Sequence, residues 1–149
     1  MARPQPFQRS AFAYYRVLQT RWADNDIYGH MNNVVHYALF DTVIGDFLIE
    51  QKLLGLHTGG DTIGVVVETG CNYFSEMAYP DQVTAGVRVA HVGSSSVRYE
   101  IGLFRNDHDI AAAQGHFVHV YVDRVTRRPV PLPPALLAAL APLQPPSRP

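Results

Sequence analysis

At 149 residues the chain has a length typical of one domain, and its 47% apolar and 17% charged residues favour a packed core over disorder. The net charge of −1 argues against a protein that binds nucleic acid or an anionic membrane, because such binding needs a basic surface. A single Cys excludes an intrachain disulfide and is typical of a reducing compartment. No secretory signal and no apolar run long enough to span a membrane is visible, so we expect a cytoplasmic protein.

The predicted elements begin after a polar, Pro-rich stretch over residues 1–10, which we expect to be flexible, as we do residues 142–149. A strand is predicted over 12–22. A helix over 33–51 and a Gly-rich loop over 53–62 follow it. The predicted strand has one face that carries Tyr14, Arg16, Leu18, Thr20 and Trp22.

Four more strands alternate apolar and polar side chains, and they are predicted over 63–74, 82–92, 96–105 and 109–121. A period of 2 with one polar face is typical of antiparallel strands that are covered on one side. The connections SEMAYPD, GSSS and RNDHD are short and rich in turn-forming residues, as hairpin loops are. A short helix over 136–140 completes a single predicted domain over residues 1–149. The apolar faces of the two middle strands carry Val83, Ala85, Val87, Val89, Val97, Tyr99, Ile101 and Leu103.

The predicted long helix is apolar nearly all round. Its polar residues scatter around the axis instead of forming one solvent-facing stripe; they are His36, Asp41, Thr42, Asp46 and Glu50. A helix of this kind is usually enclosed. We therefore expect an α+β fold in which a curved antiparallel sheet of five or six strands wraps around a central helix. The alternative is a two-layer domain with the helix on one face, in which more of the helix touches water.

A dense polar cluster, RWADNDIYGHMNN, directly precedes this helix. The first N–H groups of a helix lack internal partners, so Asn32 or Asn33 is expected to cap it. These N–H groups also suit a carbonyl oxygen that gains negative charge when its carbon is attacked. Asp24 or Asp26 can attack or activate a water, and Gly29 permits a sharp turn with room for a ligand. The cluster equally fits a purely structural cap.

The pattern D-x-D-x-x-G-H-M-N-N-x-x-x-Y, preceded by a strand that ends in Trp, resembles the hotdog-fold thioesterases of the 4-hydroxybenzoyl-CoA thioesterase-like family. The likeness extends over nearly the whole chain: a strand, the motif, an enclosed helix and four further strands. It implies a helix inside the sheet, assembly as a homodimer or homotetramer, and hydrolysis of acyl-CoA thioesters without a cofactor. Some relatives act on acyl carrier protein instead.

Carried over by position, the resemblance makes Asp26 the catalytic carboxylate and gives Asp24 a supporting role. The thioester carbonyl is expected to bind the N–H groups around Asn33. The residues after the Gly differ from the apolar run of the founding members and are closer to bacterial acyl-CoA thioesterases and to the D-x-N-x-H-V-N-N segment of plant acyl-ACP thioesterases. Tyr28 replaces the plant-type Asn, so that constellation is incomplete. His30 is expected to orient the carbonyl or a water, or else to cap or pack the turn.

Further substrate contacts follow from the same resemblance. Tyr37 matches a Tyr of the family pattern, although a large side chain in an enclosed helix needs no functional role. Glu68 and Thr69 lie on the strand that passes the catalytic turn in the family, where each either holds the attacking water or merely fills the strand. The expected contacts within the motif are Tyr28, Gly29 and Asn32. Those expected near the CoA arm are His91, Ser94, Ser95 and Ser96.

Other reactive residues fit structural roles better. Cys71 lies in the middle of a strand with no second Cys, which is typical of an inert buried thiol. The GSSS run lacks the G-x-S-x-G pattern of a Ser hydrolase. His116 and His119 are three residues apart on a predicted strand, so they point to opposite faces and cannot bind one metal ion together. No metal site is therefore expected.

Two other functions are alternatives to a thioesterase. A hotdog hydratase or dehydratase acting on acyl-CoA usually carries an Asp–His or His–Glu pair on the helix or its lead-in, and this sequence lacks it. A non-enzymatic acyl-CoA sensor normally comes fused to a DNA-binding or regulatory domain. For a thioesterase that resembles this family, the expected partners are an acyl-CoA substrate and further copies of the chain, with no nucleic acid and no membrane.

Overall fold

The computed structural model of the chain describes residues 3–54 and 60–145 and shows one five-stranded antiparallel sheet with a long helix against it. The strands lie in the order β1-β3-β4-β5-β2, so β1 and β2 form the two edges. Their bounds are β1 Tyr14–Gln19, β2 Thr62–Tyr73, β3 Gln82–Val92, β4 Ser96–Arg105 and β5 Ala113–Asp123. The helices are α1 Asn33–Glu50 and α2 Pro134–Leu140. Half of the loop predicted over 53–62, residues 55–59, lies outside the described residues.

The predicted strands are confirmed, and β3 and β4 have the predicted bounds. Strand β5 begins four residues later than predicted, because the stretch before it pairs with the N-terminal segment instead. Gln8 forms an isolated bridge with Ile110, and the N–H of Ala111 donates to the carbonyl of Phe7 at 3.0 Å. The N-terminal segment, which we expected to be flexible, thus contributes backbone hydrogen bonds to the domain.

The predicted alternation in β3 and β4 places one face of each strand in the core. All eight apolar residues of these faces are fully buried. Helix α1 packs against this face of the sheet with Phe40, Val43 and Ile44, which are also buried. Helix α2 contributes Leu136 and Leu140 to the same core. Among the described residues, no helix is both long enough and apolar enough to cross a membrane.

The prediction for the end of β1 is wrong. Leu18 and Thr20 are buried on the shared face, but the strand stops at Gln19, and Trp22 begins a short 3-10 helix with 79% of its surface exposed. The cause is Asp24, whose carboxylate accepts a hydrogen bond from the N–H of Arg21 at 2.8 Å and so turns the chain. The strand therefore ends where the polar cluster begins.

Helix α1 is central to the fold, but it is not enclosed all round within one chain. A strip along the helix faces away from the sheet, and there Val34 is 67% exposed and Ile49 42% exposed. Ala38, Asp41 and Thr42 lie on the same strip and are exposed. A sheet that packs against one side of the helix leaves the opposite side free, and the strip is apolar at both ends. The predicted central helix is thus present, but one strip of it is exposed in the single chain.

Candidate active site

The polar cluster folds into a tight turn immediately before α1. Asn25 and Met31 form an isolated antiparallel bridge, which brings the two ends of the turn together. Inside it, the N–H of Asp26 donates to the carbonyl of His30 at 2.8 Å, and the N–H of Gly29 donates to the carbonyl of Asp26 at 3.1 Å. Gly29 has a φ of 81°, a backbone conformation that residues with a Cβ adopt only at a cost in free energy. Its predicted role as the turning residue is confirmed.

The two aspartates of the motif have different surroundings. Asp24 is buried, and its carboxylate binds both the backbone N–H and the guanidinium of Arg21, the latter at 2.7 Å. Asp26 is half-buried, and its Oδ1 accepts from the N–H groups of Tyr28 at 2.9 Å and His30 at 3.3 Å. Within the described part of the chain, Oδ2 of Asp26 accepts no hydrogen bond. Asp24 therefore holds the turn, while Asp26 keeps one oxygen for a ligand.

The start of α1 offers a backbone donor to the same region. Asn32 is the N-cap, and its Oδ1 accepts from the N–H of Val34 at 3.0 Å. The N–H of Val35 donates to the carbonyl of Asn32 at 2.9 Å. The N–H of Asn33 has no acceptor among residues 3–54 and 60–145. The first turn of the helix thus leaves the amide of Asn33 available, at the end where the helix dipole is positive.

Two aromatic side chains form hydrogen bonds to the carbonyl oxygen of Asn33. The hydroxyl of Tyr73, from the end of β2, donates to this carbonyl at 2.9 Å. Nδ1 of His36 donates to it at 3.2 Å, and the rings of His36 and Tyr73 meet edge to face with centroids 4.7 Å apart. Burial lowers the pKa of His36 and raises the pKa of Tyr73, so both rings are neutral near pH 7. The peptide group between Asn33 and Val34 is therefore held at its carbonyl oxygen.

These groups surround one cavity of about 490 Å³. One wall comes from the turn and the start of α1, and the other comes from the end of β2 and the segment that follows it. The two walls are joined by a hydrogen bond from the N–H of Met31 to the carbonyl of Met77 at 2.7 Å. The lining residues are Asp26, His30, Met31, Asn32, Asn33, His36, Tyr73, Phe74, Ser75, Glu76 and Met77.

The cavity brings together the predicted catalytic residues Asp26, His30 and Asn33, together with Asn32. Tyr28 and Gly29 belong to the same turn, but the side chain of Tyr28 is exposed to solvent outside the cavity. Tyr37 does not line the cavity; it is half-buried and packs edge to face against Phe40.

The predicted contacts on β2 separate onto two faces of the sheet. Glu68 binds the ring of His116 at 2.9 Å on the face away from α1, so the prediction that it holds water at this site has no support within one chain. Thr69 pairs with Phe117 on the α1 face, but its hydroxyl donates to the carbonyl of His116 at 2.9 Å. A bulge between Val66 and Glu68 sets this arrangement.

The predicted CoA-arm residues His91, Ser94, Ser95 and Ser96 lie at the far end of β3 and in the hairpin after it. The segment that borders the cavity leads into the opposite end of this strand. An eleven-residue strand extends roughly 33 Å, so these residues are remote from the cavity of the same chain. The carbonyl of Ser95 accepts from Tyr121, and that of Ser94 from Leu132, so the hairpin is tied to the chain that follows β5.

Several cavity residues were missed at the sequence level: His36, Tyr73, Phe74, Ser75, Glu76 and Met77. His36 was treated only as one of the scattered polar helix residues. The segment after β2 reaches the cavity through the pairing of Met31 with Met77, which no local pattern announces. The tyrosine that ends β2, Tyr73, was the available signal, because an aromatic hydroxyl at a strand end needs a partner.

The remaining reactive residues have the expected structural surroundings. Cys71 is half-buried, and burial raises the pKa of its thiol to about 11, so it is protonated and unreactive near neutral pH. His116 and His119 point to opposite faces of β5, as predicted, and His119 packs against Tyr99 in the core. No cluster of three or more potential metal ligands occurs in the part of the chain that the structure describes.

Similarity to a known family extends over most of the chain. The profile of the thioesterase-like superfamily matches residues 20–140, from the end of the first strand region to α2. The chain belongs to this superfamily. The match includes the turn, the start of α1 and the segment after β2, that is, all elements of the cavity. The resemblance inferred from the motif and the predicted hotdog fold are therefore confirmed.

Three individual proteins are similar to this chain in sequence or in fold. The crystal structure of the PA5185 protein from Pseudomonas aeruginosa strain PAO1 is 47% identical, with a TM-score of 0.89 over 93% of this chain and 96% of that chain. Slr0204, a 1,4-dihydroxy-2-naphthoyl-CoA thioesterase from Synechocystis, shares the fold with a TM-score of 0.79 at 16% identity, over 85% of this chain and 94% of that chain. YsmA, an uncharacterized protein of Bacillus subtilis strain 168, is 29% identical over 62% of this chain, and the match spans 63% of its own length.

Proposed function

We propose that this member of the thioesterase-like superfamily hydrolyses an acyl-CoA thioester to a free acid and CoA at the cavity of Asp26. The observation that carries the proposal is that two residues lining this cavity each keep a polar group without a partner. One is Oδ2 of Asp26, an acceptor without a protein partner, and the other is the N–H of Asn33, a donor without a protein partner, both within the described residues. A carbonyl to be attacked needs such a donor and such a nucleophile or base.

In this mechanism the thioester carbonyl oxygen accepts a hydrogen bond from the N–H of Asn33. The carboxylate of Asp26 then either bonds to the carbonyl carbon, giving an anhydride that water hydrolyses, or takes a proton from the water that attacks this carbon. In either route the C–S bond breaks, and its electron pair leaves on the CoA sulfur. The thiolate is a stabilised leaving group and needs little help from an acid. No cofactor takes part.

The fixed turn explains why Asp26 suits this role. Its Oδ1 is held by two backbone N–H groups, so the carboxylate is oriented without a side-chain partner that would compete with substrate. Asp24 cannot substitute for it, because both of its oxygens bind Arg21 in a buried position. The roles assigned to the two aspartates by resemblance thus have separate support in their surroundings.

The proposal is tested by a thiol-release screen. The purified protein is offered acyl-CoAs of graded chain length, aromatic acyl-CoAs and acyl carrier protein loaded with the same acyl groups. Aromatic acyl-CoAs belong in the panel because Slr0204, which shares the fold, is a 1,4-dihydroxy-2-naphthoyl-CoA thioesterase. We expect steady turnover of one class of acyl-CoA at a rate well above that of the acylated carrier protein. Turnover of the carrier-protein substrates alone would contradict the CoA assignment, and failure with every thioester would contradict hydrolysis.

We further propose that the working form is a homo-oligomer, a homodimer or homotetramer, in a cytoplasmic setting. The apolar strip of α1 lies on the same side of the sheet as the exposed Val66 and Tyr73 of the edge strand β2. An exposed edge strand with neighbouring apolar side chains is a surface that usually has a partner. A second copy on this edge satisfies both the strand and the helix strip.

A further inference from the structure

His36 is a buried histidine of α1 that lines the cavity of Asp26 and is not used by either proposed route of hydrolysis. It follows Asn33 by three residues, and helical side chains lean toward the N-terminus of their helix, so its ring lies beside the first turn of α1. Only 4% of its surface is exposed. The ring is fixed by its hydrogen bond to the carbonyl of Asn33 and by its edge-to-face contact with Tyr73. The imidazole is therefore held close to the amide that is proposed to bind the thioester carbonyl.

The hydrogen bond to the backbone determines which nitrogen of this ring carries the proton. Nδ1 of His36 lies 3.2 Å from the carbonyl oxygen of Asn33. A carbonyl oxygen only accepts hydrogen bonds, so Nδ1 carries the proton and donates it. Burial lowers the pKa of His36, which keeps the ring neutral near pH 7. Nε2 therefore carries a lone pair and no proton.

The lone pair on Nε2 of His36 is accessible from the cavity. Among the residues that the structure describes, Nε2 has no hydrogen-bond partner. Both ring nitrogens of His119 also lack a partner, and they are closed to water; Nε2 of His36 is not closed in this way. Because His36 lines the cavity of Asp26, water that occupies this cavity can reach Nε2. The cavity thus contains a neutral base in addition to the carboxylate of Asp26.

We propose that His36 is the base of the water step: its Nε2 takes a proton from the water that hydrolyses an anhydride formed between the acyl group and Asp26. This inference deepens the proposed function and rests on its anhydride route. The water oxygen bonds to the acyl carbon while one water proton moves to Nε2. The bond from this carbon to the Asp26 oxygen breaks, and its electron pair restores the carboxylate. The free acid leaves, and the imidazolium gives its proton to solvent.

Rapid-mixing measurements of thiol release separate the two steps of this route. In His36→Asn the side-chain amide can still donate to the carbonyl of Asn33, but the acceptor at Nε2 is lost. We expect a burst of about one CoA per site, followed by a kcat about 100-fold below that of the wild type, with kcat/KM unchanged. Hydroxylamine should capture the waiting acyl group as a hydroxamate. Absence of the burst, or a wild-type kcat in this variant, would overturn the inference.

Two further variants separate the role of Nε2 from a structural role of the ring. Tyr73→Phe removes the other side-chain hydrogen bond to the carbonyl of Asn33 and leaves Nε2 in place. We expect it to change kcat and kcat/KM alike, without a burst. His36→Phe keeps the volume of a ring without either nitrogen, and it should show the same burst as His36→Asn. A burst in Tyr73→Phe as large as that in His36→Asn would assign the effect to the loosened carbonyl and refute the role of Nε2.

An NMR experiment tests the tautomer without any substrate. Long-range proton–nitrogen spectra at pH 7 report the protonation of each ring nitrogen, and His36→Asn identifies the signals of His36 by their absence. We expect an Nδ1–H pattern for His36. An Nε2–H or imidazolium pattern would refute the base role even in a protein that cleaves thioesters through Asp26. An Nδ1–H pattern in a protein that cleaves no thioester would refute the proposed function, and the base role with it.

Discussion

Asp26 and its neighbours in the turn before α1 are held mainly by backbone groups. The carboxylate of Asp26 receives the N–H groups of Tyr28 and His30 only because the chain reverses at Gly29. That reversal uses a positive φ, which an L side chain adopts with difficulty because its Cβ approaches the following carbonyl oxygen. The geometry of the carboxylate thus depends on a residue with no functional group.

The variant Gly29→Ala tests this dependence. We expect the free energy of unfolding to fall by about 1–2 kcal/mol, because the alanine is forced into the left-handed region. We also expect kcat/KM to fall, because a relaxed turn displaces the backbone N–H groups that hold the carboxylate of Asp26. Urea unfolding and thiol release measure the two effects.

Gly45→Ala supplies the control for that experiment. Gly45 lies within α1, and a Cβ placed on it meets nothing within 4 Å. Alanine is the better helix former by about 1 kcal/mol, so this variant should be at least as stable as the wild type and fully active. Equal destabilisation by the two substitutions would show that the turn at Gly29 has no special role.

The sequence predicted only part of this site. Asp26, His30, Asn32 and Asn33 were predicted because cap and turn chemistry is local: it depends on residues within one motif. Glu76 could not be predicted in this way, since its place depends on the register between two distant segments. The resemblance suggested Glu68 instead, but the bulge in β2 directs this side chain to the other face.

At the scale of elements, the strands were more predictable than the surroundings of the helix. A period of 2 predicts which side chains share a face of a strand. The eight core residues of β3 and β4 are buried as that period predicts. The apolar character of α1 predicts only that the helix packs against other apolar surface. Whether the cover comes from its own sheet or from another chain is not encoded in the helix itself.

Strand β5 carries a buried histidine, and this makes stability depend on pH. Burial lowers the pKa of His119 in the folded state, as it does for His36. The unfolded chain binds the proton near the ordinary pKa of about 6.5, whereas the folded chain resists it. Acidification from pH 7 to pH 5 therefore favours unfolding. We expect His119→Phe to reduce this dependence in urea unfolding series.

The exposed His108 gives the comparison for this series. His108→Gln should leave the pH dependence of the unfolding free energy as it is in the wild type, because the residue lies at the surface in the turn after β4. A series in which His119→Phe is as pH-dependent as the wild type would show that burial of this imidazole has no effect on stability.

At the scale of the whole molecule, the two edges of the sheet differ. Strand β1 has six residues, while β2 has twelve and adjoins the open strip of α1. The longer edge therefore presents more unpaired backbone groups and more apolar surface. The fold of one chain was predictable from sequence periodicity and resemblance, but the exposed strip of α1 was not, because the helix sequence alone does not state which of its sides the sheet of the same chain covers.

Two valines of equal exposure test which edge is used. Val67 on β2 and Val17 on β1 are each 57% exposed. We expect Val67→Asp to weaken the oligomer, because a charge in a desolvated interface is costly, and Val17→Asp to leave it intact. Light scattering coupled to size exclusion gives the mass of each variant. A monomeric wild type, or dissociation by Val17→Asp alone, would contradict the assignment of β2.

The proposed hydrolysis depends on the free carboxylate oxygen of Asp26. The direct measurement is kcat/KM for thiol release by wild type, Asp26→Asn and, as a control, Asp46→Asn on the distal half of α1. We predict a loss of about 100-fold or more in Asp26→Asn at an unchanged melting temperature, and wild-type activity in Asp46→Asn. An Asp26→Asn variant that cleaves the same acyl-CoA at the wild-type rate would contradict the claim.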